Sequence, residues 1–217
     1  MRITTPTRTT ISLRRVLTTV TATAAVALTA TGTAVAVPVS GAALTASGST
    51  ALSTPYPVSA LHPVVELSAE RLATADLVAA AKWGTDSPID DPAREQQVLD
   101  NVAAQATQLG ADPDEIRTVF RDQIEANKIV QRGLYADWTA HPDKAPTTKP
   151  DLNVVRQTIN RITTDLVTSL ADSTPRRAEP TCHPELALAF VEVTHEQHPD
   201  HLHTRALVRS LNSVCRD

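Results

Sequence analysis

Positively charged side chains on otherwise apolar helical faces are the residues of this chain that could do chemistry. Arg71 and Lys82 lie within an apolar stripe of helical period between residues 63 and 83. Their spacing of 11 residues is three helical turns, so both side chains point the same way. Arg156 lies within the apolar stripe of a later segment, and Arg94 flanks another. Because an unpaired charge in an apolar interior is strongly unfavourable, these bases require water or an anionic partner.

Polar residues interrupt the apolar faces as well. Gln123, Asn127 and Gln131 recur every four residues and are predicted to share one helical face, while Glu95 lies on the apolar face of another helix. Taken singly, such a base usually extends to water and such an amide is usually a hydrogen-bonded core residue. Several bases with few inward-facing acids together favour a cavity for a small anion with more than one negative charge. Arginine matches carboxylates, and amides add neutral donors.

The elements that must position these residues are predicted to be helices. Asp91-Pro92 and Asp112-Pro113 each combine a capping aspartate with a proline suited to the first helical turn. No segment alternates convincingly with the period of a strand. We therefore predict an all-α fold with a single six-helix domain over residues 62–217. The helices are expected at about 63–83, 91–109, 112–138, 151–172, 184–197 and 200–214.

The composition excludes several other classes of protein. The 217 residues include only 6 glycines and 6 aromatic residues, too few for a sandwich or barrel. No internal repeat of solenoid length is visible. A hydrolase has little support, because the chain contains no G-x-S-x-G motif.

The N-terminal segment has the features of a secretory signal peptide over residues 1–36. It contains four arginines and no acid, an apolar or Thr/Ala run over 16–30, and the small-residue site Ala34-Val35-Ala36. A membrane anchor is the alternative, but the run is short and rich in threonine. We predict a secreted or periplasmic protein whose residues 37–61, rich in Ser, Thr and Pro, form a flexible leader.

Charge narrows the range of partners. The whole chain carries a net charge of −4, and loss of the four N-terminal arginines leaves −8. A protein this acidic is a poor candidate for binding nucleic acid or, after signal cleavage, an anionic membrane. A small anion remains possible if the few bases converge at one place.

Cys182 and Cys215 are the only cysteines of the chain, and export makes a disulfide between them the favoured interpretation. The bridge would join the two C-terminal helices and stabilise the fold by about 3–4 kcal/mol. The alternative is a pair of buried free thiols.

A histidine-rich segment suggests a metal site, but the spacing does not support one. Pro199 interrupts it, and no zinc motif fits. We therefore expect a solvated turn and no metal. The segment contains His195, Glu196, His198, His201 and His203.

Short motifs along residues 66–215 give the chain a family resemblance. They include Glu70-Arg71-Leu72, Ala80-Ala81-Lys82-Trp83, Pro88-Ile89-Asp90-Asp91, Asp122-Gln123-Ile124, Asp137-Trp138, Arg156 and the two cysteines. With these motifs the chain resembles the secreted chorismate mutases, the exported subclass of the all-helical AroQ class. The resemblance implies an all-helical AroQ-type domain, a homodimer in which each chain builds its own site, and the rearrangement of chorismate to prephenate without a cofactor.

The resemblance also implies roles for the basic residues. Arg71 and Arg156 would bind the two carboxylates of chorismate, and Lys82 would reach a carboxylate and the ether oxygen. Arg94 would orient the substrate. Gln131 would donate to the ether oxygen from the side opposite Lys82.

The resemblance also assigns roles to three further polar residues. Asp91 and Glu95 match acids that lie near the ring hydroxyl in other AroQ enzymes. Asn127 departs from the family, because it occupies a position near a substrate carboxylate where the family often has a small hydroxyl residue. Val98 departs from the family, because the secreted relatives have a glutamine there. The alternative function is a non-catalytic secreted helical interaction protein on the same scaffold.

Overall fold

A computed structural model describes residues 59–216, and the regular structure within that range is entirely helical, which confirms the all-α prediction. The predicted signal peptide and the leader up to residue 58 lie outside the described residues. No helix in the described range is long and apolar enough to cross a membrane. The helices are α1 His62–Lys82, α2 Pro92–Gln108, α3 Pro113–Ala140, α4 Leu152–Asp172, α5 Thr174–Arg177, α6 Cys182–Gln197 and α7 His201–Ser210, with a 3₁₀ turn at Pro142–Lys144.

Aspartate caps define the starts of the helices that surround the site. The first N–H groups of a helix lack intrahelical acceptors, so a side-chain oxygen just before the helix stabilises it. Asp91 accepts the backbone N–H of Arg94 at 3.0 Å, and Asp112 accepts that of Asp114 at 2.8 Å. Asp151 begins α4 in the same way. The predicted starts of the second and third helices are therefore confirmed.

Four long helices form a ring around the site. α1 packs against α3 and α4, and α2 packs against the same two helices. The 28-residue α3 also packs along α7, while α1 contacts α6. The buried apolar residues of the main core come from these contacts and include Val65, Val102, Phe120, Leu166 and Leu207.

The C-terminal region differs from the prediction in two respects. α5 adds a single turn after α4, so the described range contains seven helices rather than six, and α7 ends at Ser210 rather than near residue 214. Polar contacts with α5 hold the chain that follows α7. The Nε of Arg177 donates to the carbonyl of Val214 at 2.7 Å, and the N–H of Arg216 donates to the carbonyl of Arg177 at 2.9 Å.

The predicted disulfide is present. Cys182, the first residue of α6, is bonded to Cys215, which follows α7, with their Cα atoms 5.7 Å apart. Leu61 is fully buried against this bridge. The Oγ of Ser59 donates to the carbonyl of Glu185 at 3.3 Å. The last residues of the predicted leader therefore already pack on α6.

Candidate active site

One cavity lies inside the ring formed by α1, α2, α3 and α4. Its walls include the loop that connects α1 to α2, and its volume is about 120 Å³. Side chains that are up to 88 residues apart in the sequence meet there. All eight residues that the sequence singled out for substrate binding line this cavity: Arg71, Lys82, Asp91, Arg94, Glu95, Asn127, Gln131 and Arg156.

Arg71 is buried among neutral partners. Its Nε lies 3.4 Å from the Oγ1 of Thr163, its Nη1 lies 3.3 Å from the carbonyl of Gln123, and its guanidinium lies 5.6 Å from the centre of the Phe120 ring. Burial lowers the pKa of Arg71 to about 10. The side chain therefore stays charged at neutral pH without a carboxylate to balance it.

Lys82 and Arg156 approach the cavity from α1 and α4. The Nζ of Lys82 donates to the carbonyl of Pro88 at 2.8 Å. Burial lowers the pKa of Lys82, and the charge of Arg156 adds to that effect, while Asp91 and Glu95 oppose it. Arg156 makes no side-chain hydrogen bond or ion pair with the rest of residues 59–216, and its side chain is free to bind an anion.

The two acids of the cavity are already engaged in bonds within the protein. Asp91 caps α2 through the N–H of Arg94. The Oε1 of Glu95 accepts the N–H of Asp91 at 3.2 Å, and both carboxylate oxygens of Glu95 lie 2.9 Å from the Nζ of Lys128. Arg94 itself is hydrogen-bonded to Gln97, one turn along α2. The acids therefore leave the Arg71 and Arg156 charges unbalanced.

Two amides face the cavity from α3. The Nε2 of Gln131 donates to the Oδ1 of Asn127 at 2.7 Å, while the Oε1 of Gln131 is buried without a partner in the described range. An amide that turns by 180° exchanges its carbonyl and its NH₂ group. If both amides turn, their mutual hydrogen bond is kept and the NH₂ group of Gln131 becomes available to a ligand.

Gln123 does not line the cavity, in contrast to the predicted face shared with Asn127 and Gln131. Its Nε2 donates to the Oγ of Ser68 at 2.8 Å and to the carbonyl of Ser210 at 3.2 Å. A step of four residues turns a helix about 40° beyond a full revolution, so residues eight apart differ by about 80°. Gln123 therefore points into the core between α1, α3 and α7.

The prediction missed Lys128 as a residue of the site. Lys128 is buried on α3 and lines the cavity, and its only sequence signal was an acid three residues earlier, Glu125. Five cations and two carboxylates line the cavity, a formal excess of three positive charges. The apolar walls come from Val78, Ile89, Val98, Ile124, Leu152 and Ile159.

The histidine-rich segment does not come together as a cluster. The rings of His195 and His198 lie 5.9 Å apart, whereas the Nε2 of His203 contacts Asp76 at 3.0 Å and its Nδ1 contacts Asp200 at 2.9 Å. Within residues 59–216, no group of three or more His, Cys, Asp or Glu side chains is arranged to hold a metal ion.

Fold and cavity together define the class: an all-helical domain with a cationic, apolar-walled cavity between its helices. The model of the family "Chorismate mutase type II" matches residues 63–132. The secreted chorismate mutase of Mycolicibacterium smegmatis is 38% identical over 178 residues, which are 82% of this chain and 98% of that protein. The secreted chorismate mutase of Mycobacterium tuberculosis is 33% identical over 158 residues, 73% of this chain and 79% of that protein.

Solved structures agree with this result. The chorismate mutase of Burkholderia thailandensis superposes with a TM-score of 0.69 at 37% identity, covering 72% of this chain and 99% of that chain. The chain belongs to the type II chorismate mutase family, and within it to the secreted group.

Proposed function

We propose that this protein is an exported chorismate mutase that converts chorismate to prephenate in the cavity between α1, α2, α3 and α4. The observation that carries the proposal is the convergence of Arg71, Lys82, Arg94 and Arg156 on one apolar-walled cavity. Arg71 and Arg156 have no carboxylate partner there among the described residues. Chorismate carries two carboxylates and would supply the missing negative charge.

The reaction explains why these residue types suffice. In a Claisen rearrangement a C–C bond forms as the ether C–O bond breaks within one molecule, so no nucleophile, base or cofactor is required. The protein must hold the reactive conformer, which is an orientation effect. It must also stabilise the negative charge that develops on the ether oxygen, and fixed donors in a water-poor site are effective at this.

The basic residues divide between these two tasks. Arg71 and Arg156 hold the carboxylates and thereby select the reactive conformer. Lys82 donates to the ether oxygen from the end of α1, with its Nζ held by the carbonyl of Pro88. Gln131 donates from α3 after its amide turns. Arg94 orients the substrate from the first turn of α2.

The remaining polar residues complete the ligand contacts. Asn127 keeps the amide of Gln131 in place through their hydrogen bond and lies near a carboxylate. Asp91 and Glu95 accept the ring hydroxyl at the α2 side of the cavity. Val98 gives that wall an apolar side chain instead of a polar contact.

Processing and assembly are expected from the family. We propose that residues 1–36 are removed on export and that the mature protein, with its Cys182–Cys215 disulfide, is a homodimer. The intact mass of the exported protein tests the first point, and multi-angle light scattering tests the second. A monomer would contradict the second point without affecting the site, because all eight predicted residues come from one chain.

A prephenate assay of the purified protein tests the function directly. Lys82→Ala removes a donor at the ether oxygen, and we expect kcat/KM to fall by about 10²–10³-fold. Lys144→Ala removes an exposed lysine outside the cavity and should retain the rate of the unmutated protein. A folded protein that forms no prephenate would contradict the proposal and favour the non-catalytic alternative.

A further inference from the structure

Lys128 is a buried cation that meets three carboxylates at the cavity wall. Its Nζ lies 2.9 Å from Glu95, 2.8 Å from Glu125 and 3.3 Å from Asp90, and only 9% of the side chain is exposed. Burial alone would lower the pKa of Lys128, but the three carboxylates outweigh that effect and raise it. Lys128 is therefore a permanent positive charge on this wall.

The three carboxylates depend on Lys128 to different degrees. Asp90 has a second cation, because the Nη2 of Arg132 donates to both of its oxygens at 2.7 and 2.9 Å. The Glu125 side chain is 42% exposed, so its charge is accessible to solvent. Glu95 is only 26% exposed, lines the cavity, and has no cation other than Lys128 within ion-pair distance in residues 59–216.

An unbalanced Glu95 would oppose the binding of a dianion. Like charges repel most strongly where water is scarce, and two carboxylates sharing one site raise each other's free energy. The cations Lys82, Arg94 and Arg156 also face this space, but the substrate carboxylates would engage them. Because Lys128 already pairs with Glu95, those cations stay available to the substrate.

We propose that Lys128 is a positioning residue that neutralises Glu95 and fixes it against the wall, so that the cavity can admit a dianionic substrate. Lys128 acts through Glu95 and not on the reacting atoms. The proposal rests on the proposed function, since it concerns the same cavity and a substrate with two carboxylates.

Kinetics of four variants test the proposal. In Lys128→Met, we expect KM for chorismate to rise about tenfold or more, with a smaller change in kcat, because ligand entry meets an unbalanced carboxylate. Lys128→Arg keeps the charge and should restore KM. In Lys128→Met/Glu95→Gln, KM should return to within about threefold of Glu95→Gln alone, because the charge that needed a partner is gone.

Arg132→Met is the matched control. It removes one positive charge from the same helix and from the same Asp90 but leaves Glu95 paired, so its KM should rise less than that of Lys128→Met. An equal rise would mean that any loss of charge near the cavity has the same effect, which overturns the proposal. A high KM that persists in Lys128→Met/Glu95→Gln also overturns it, because the role would then be structural.

Folding outcomes are decisive as well. Should Lys128→Met fail to fold, the double variant Lys128→Met/Glu95→Gln will fold if the unbalanced carboxylate is the cause. If the double variant also fails to fold, Lys128 is required for packing and the proposal is wrong. The unmutated protein in the same assay separates this result from the proposed function, because prephenate formation there stands whatever the Lys128 variants show.

Discussion

Two regions of the described residues contain buried arginines, and their surroundings differ. In the cavity, the buried Arg71 hydrogen-bonds only to neutral groups, and the half-buried Arg156 has no polar partner in the described range. Beside the disulfide, Arg177 is 1% exposed and has polar partners within the protein: its guanidinium donates to the carbonyls of Val214 at 2.7 Å and Leu170 at 3.2 Å. The carboxylate of Glu115 lies 3.7 Å away.

A second ion pair closes the same C-terminal region. Asp122, which is buried on α3, pairs with Arg209 of α7 and accepts the hydroxyl of Ser213 at 2.7 Å. The charge of Arg209 is therefore balanced by a residue of the protein and does not need a ligand. The cations of this region therefore stabilise the fold by joining α3, α5 and the chain after α7.

The contrast indicates where a ligand can act. The buried charge of Arg177 is compensated by carbonyl and carboxylate groups of the protein, so it requires no anionic ligand. A buried charge with neutral partners retains most of its attraction for an anion. The two regions should therefore respond to substitution in opposite ways, one through stability and the other through turnover.

The largest effect on stability is expected at Arg177. Arg177→Met leaves two buried carbonyls and part of the Glu115 charge without a partner, so the free energy of unfolding should fall by about 3–5 kcal/mol. Urea unfolding measures it. Arg176→Met is the matched control, because Arg176 is 58% exposed and should change stability by less than about 0.5 kcal/mol. Equal losses in the two variants would mean that the buried contacts of Arg177 do not stabilise the fold.

The reciprocal substitution is Arg156→Met. We expect kcat/KM to fall by about 10²–10³-fold, because a substrate carboxylate loses its partner. The free energy of unfolding should stay the same or rise, since no hydrogen bond or ion pair is lost and repulsion with Lys82 disappears. Arg161→Met, on the same helix and 67% exposed, should leave both quantities unchanged. A large loss of stability in Arg156→Met would show that Arg156 has a structural role.

A smaller effect is expected at His203, which joins α1 to the start of α7. The carboxylates of Asp76 and Asp200 raise the pKa of His203 to about 9. Because the pKa of His203 is higher in the folded protein, its protonation stabilises the fold fully below pH 6.5. This contribution to the free energy of unfolding disappears as the pH rises through about 9. Both carboxylates are exposed, so His203→Gln should cost about 1 kcal/mol at pH 6. The difference between the two proteins should vanish at pH 10, and a constant difference would exclude the charge as its cause.

The smallest effect is expected for the dependence of kcat/KM on pH near neutrality. kcat/KM should vary little from about pH 5 to 8, because an amide such as Gln131 donates at any pH and the cavity cations stay protonated. The rate should fall at alkaline pH as Lys82, whose pKa is lowered by burial, loses its proton. A profile of kcat/KM against pH measures both the nearly constant region and the alkaline fall. A sharp acidic optimum would mean that a carboxyl group must be protonated for turnover.

Local sequence signals predicted the helices well because they depend on neighbouring residues. Asp91 and Asp112 lie directly before prolines, and both cap helices as expected. The three-turn spacing of Arg71 and Lys82 placed both on one side of α1, where both line the cavity. The disulfide followed from there being only two cysteines.

Contacts between residues on different helices were not predicted. Gln123 was expected beside Asn127, yet it hydrogen-bonds to Ser68 and Ser210 in the core. Lys128 was not singled out, since its partners Asp90 and Glu95 lie on a distant loop and helix. A helical wheel gives the direction of a side chain but not the element that lies in that direction.

The helical segments, the family and the set of basic residues on apolar faces could be predicted from the amino-acid sequence, because spacing and capping act over a few residues. Which of the buried charges have partners became clear only from the packing of the helices. That depends on the packing of α1, α2, α3 and α4 around one cavity and of α5 against the chain after α7. The free energy of a buried charge is set by the groups within a few ångströms of it, and most of those groups come from distant parts of the chain.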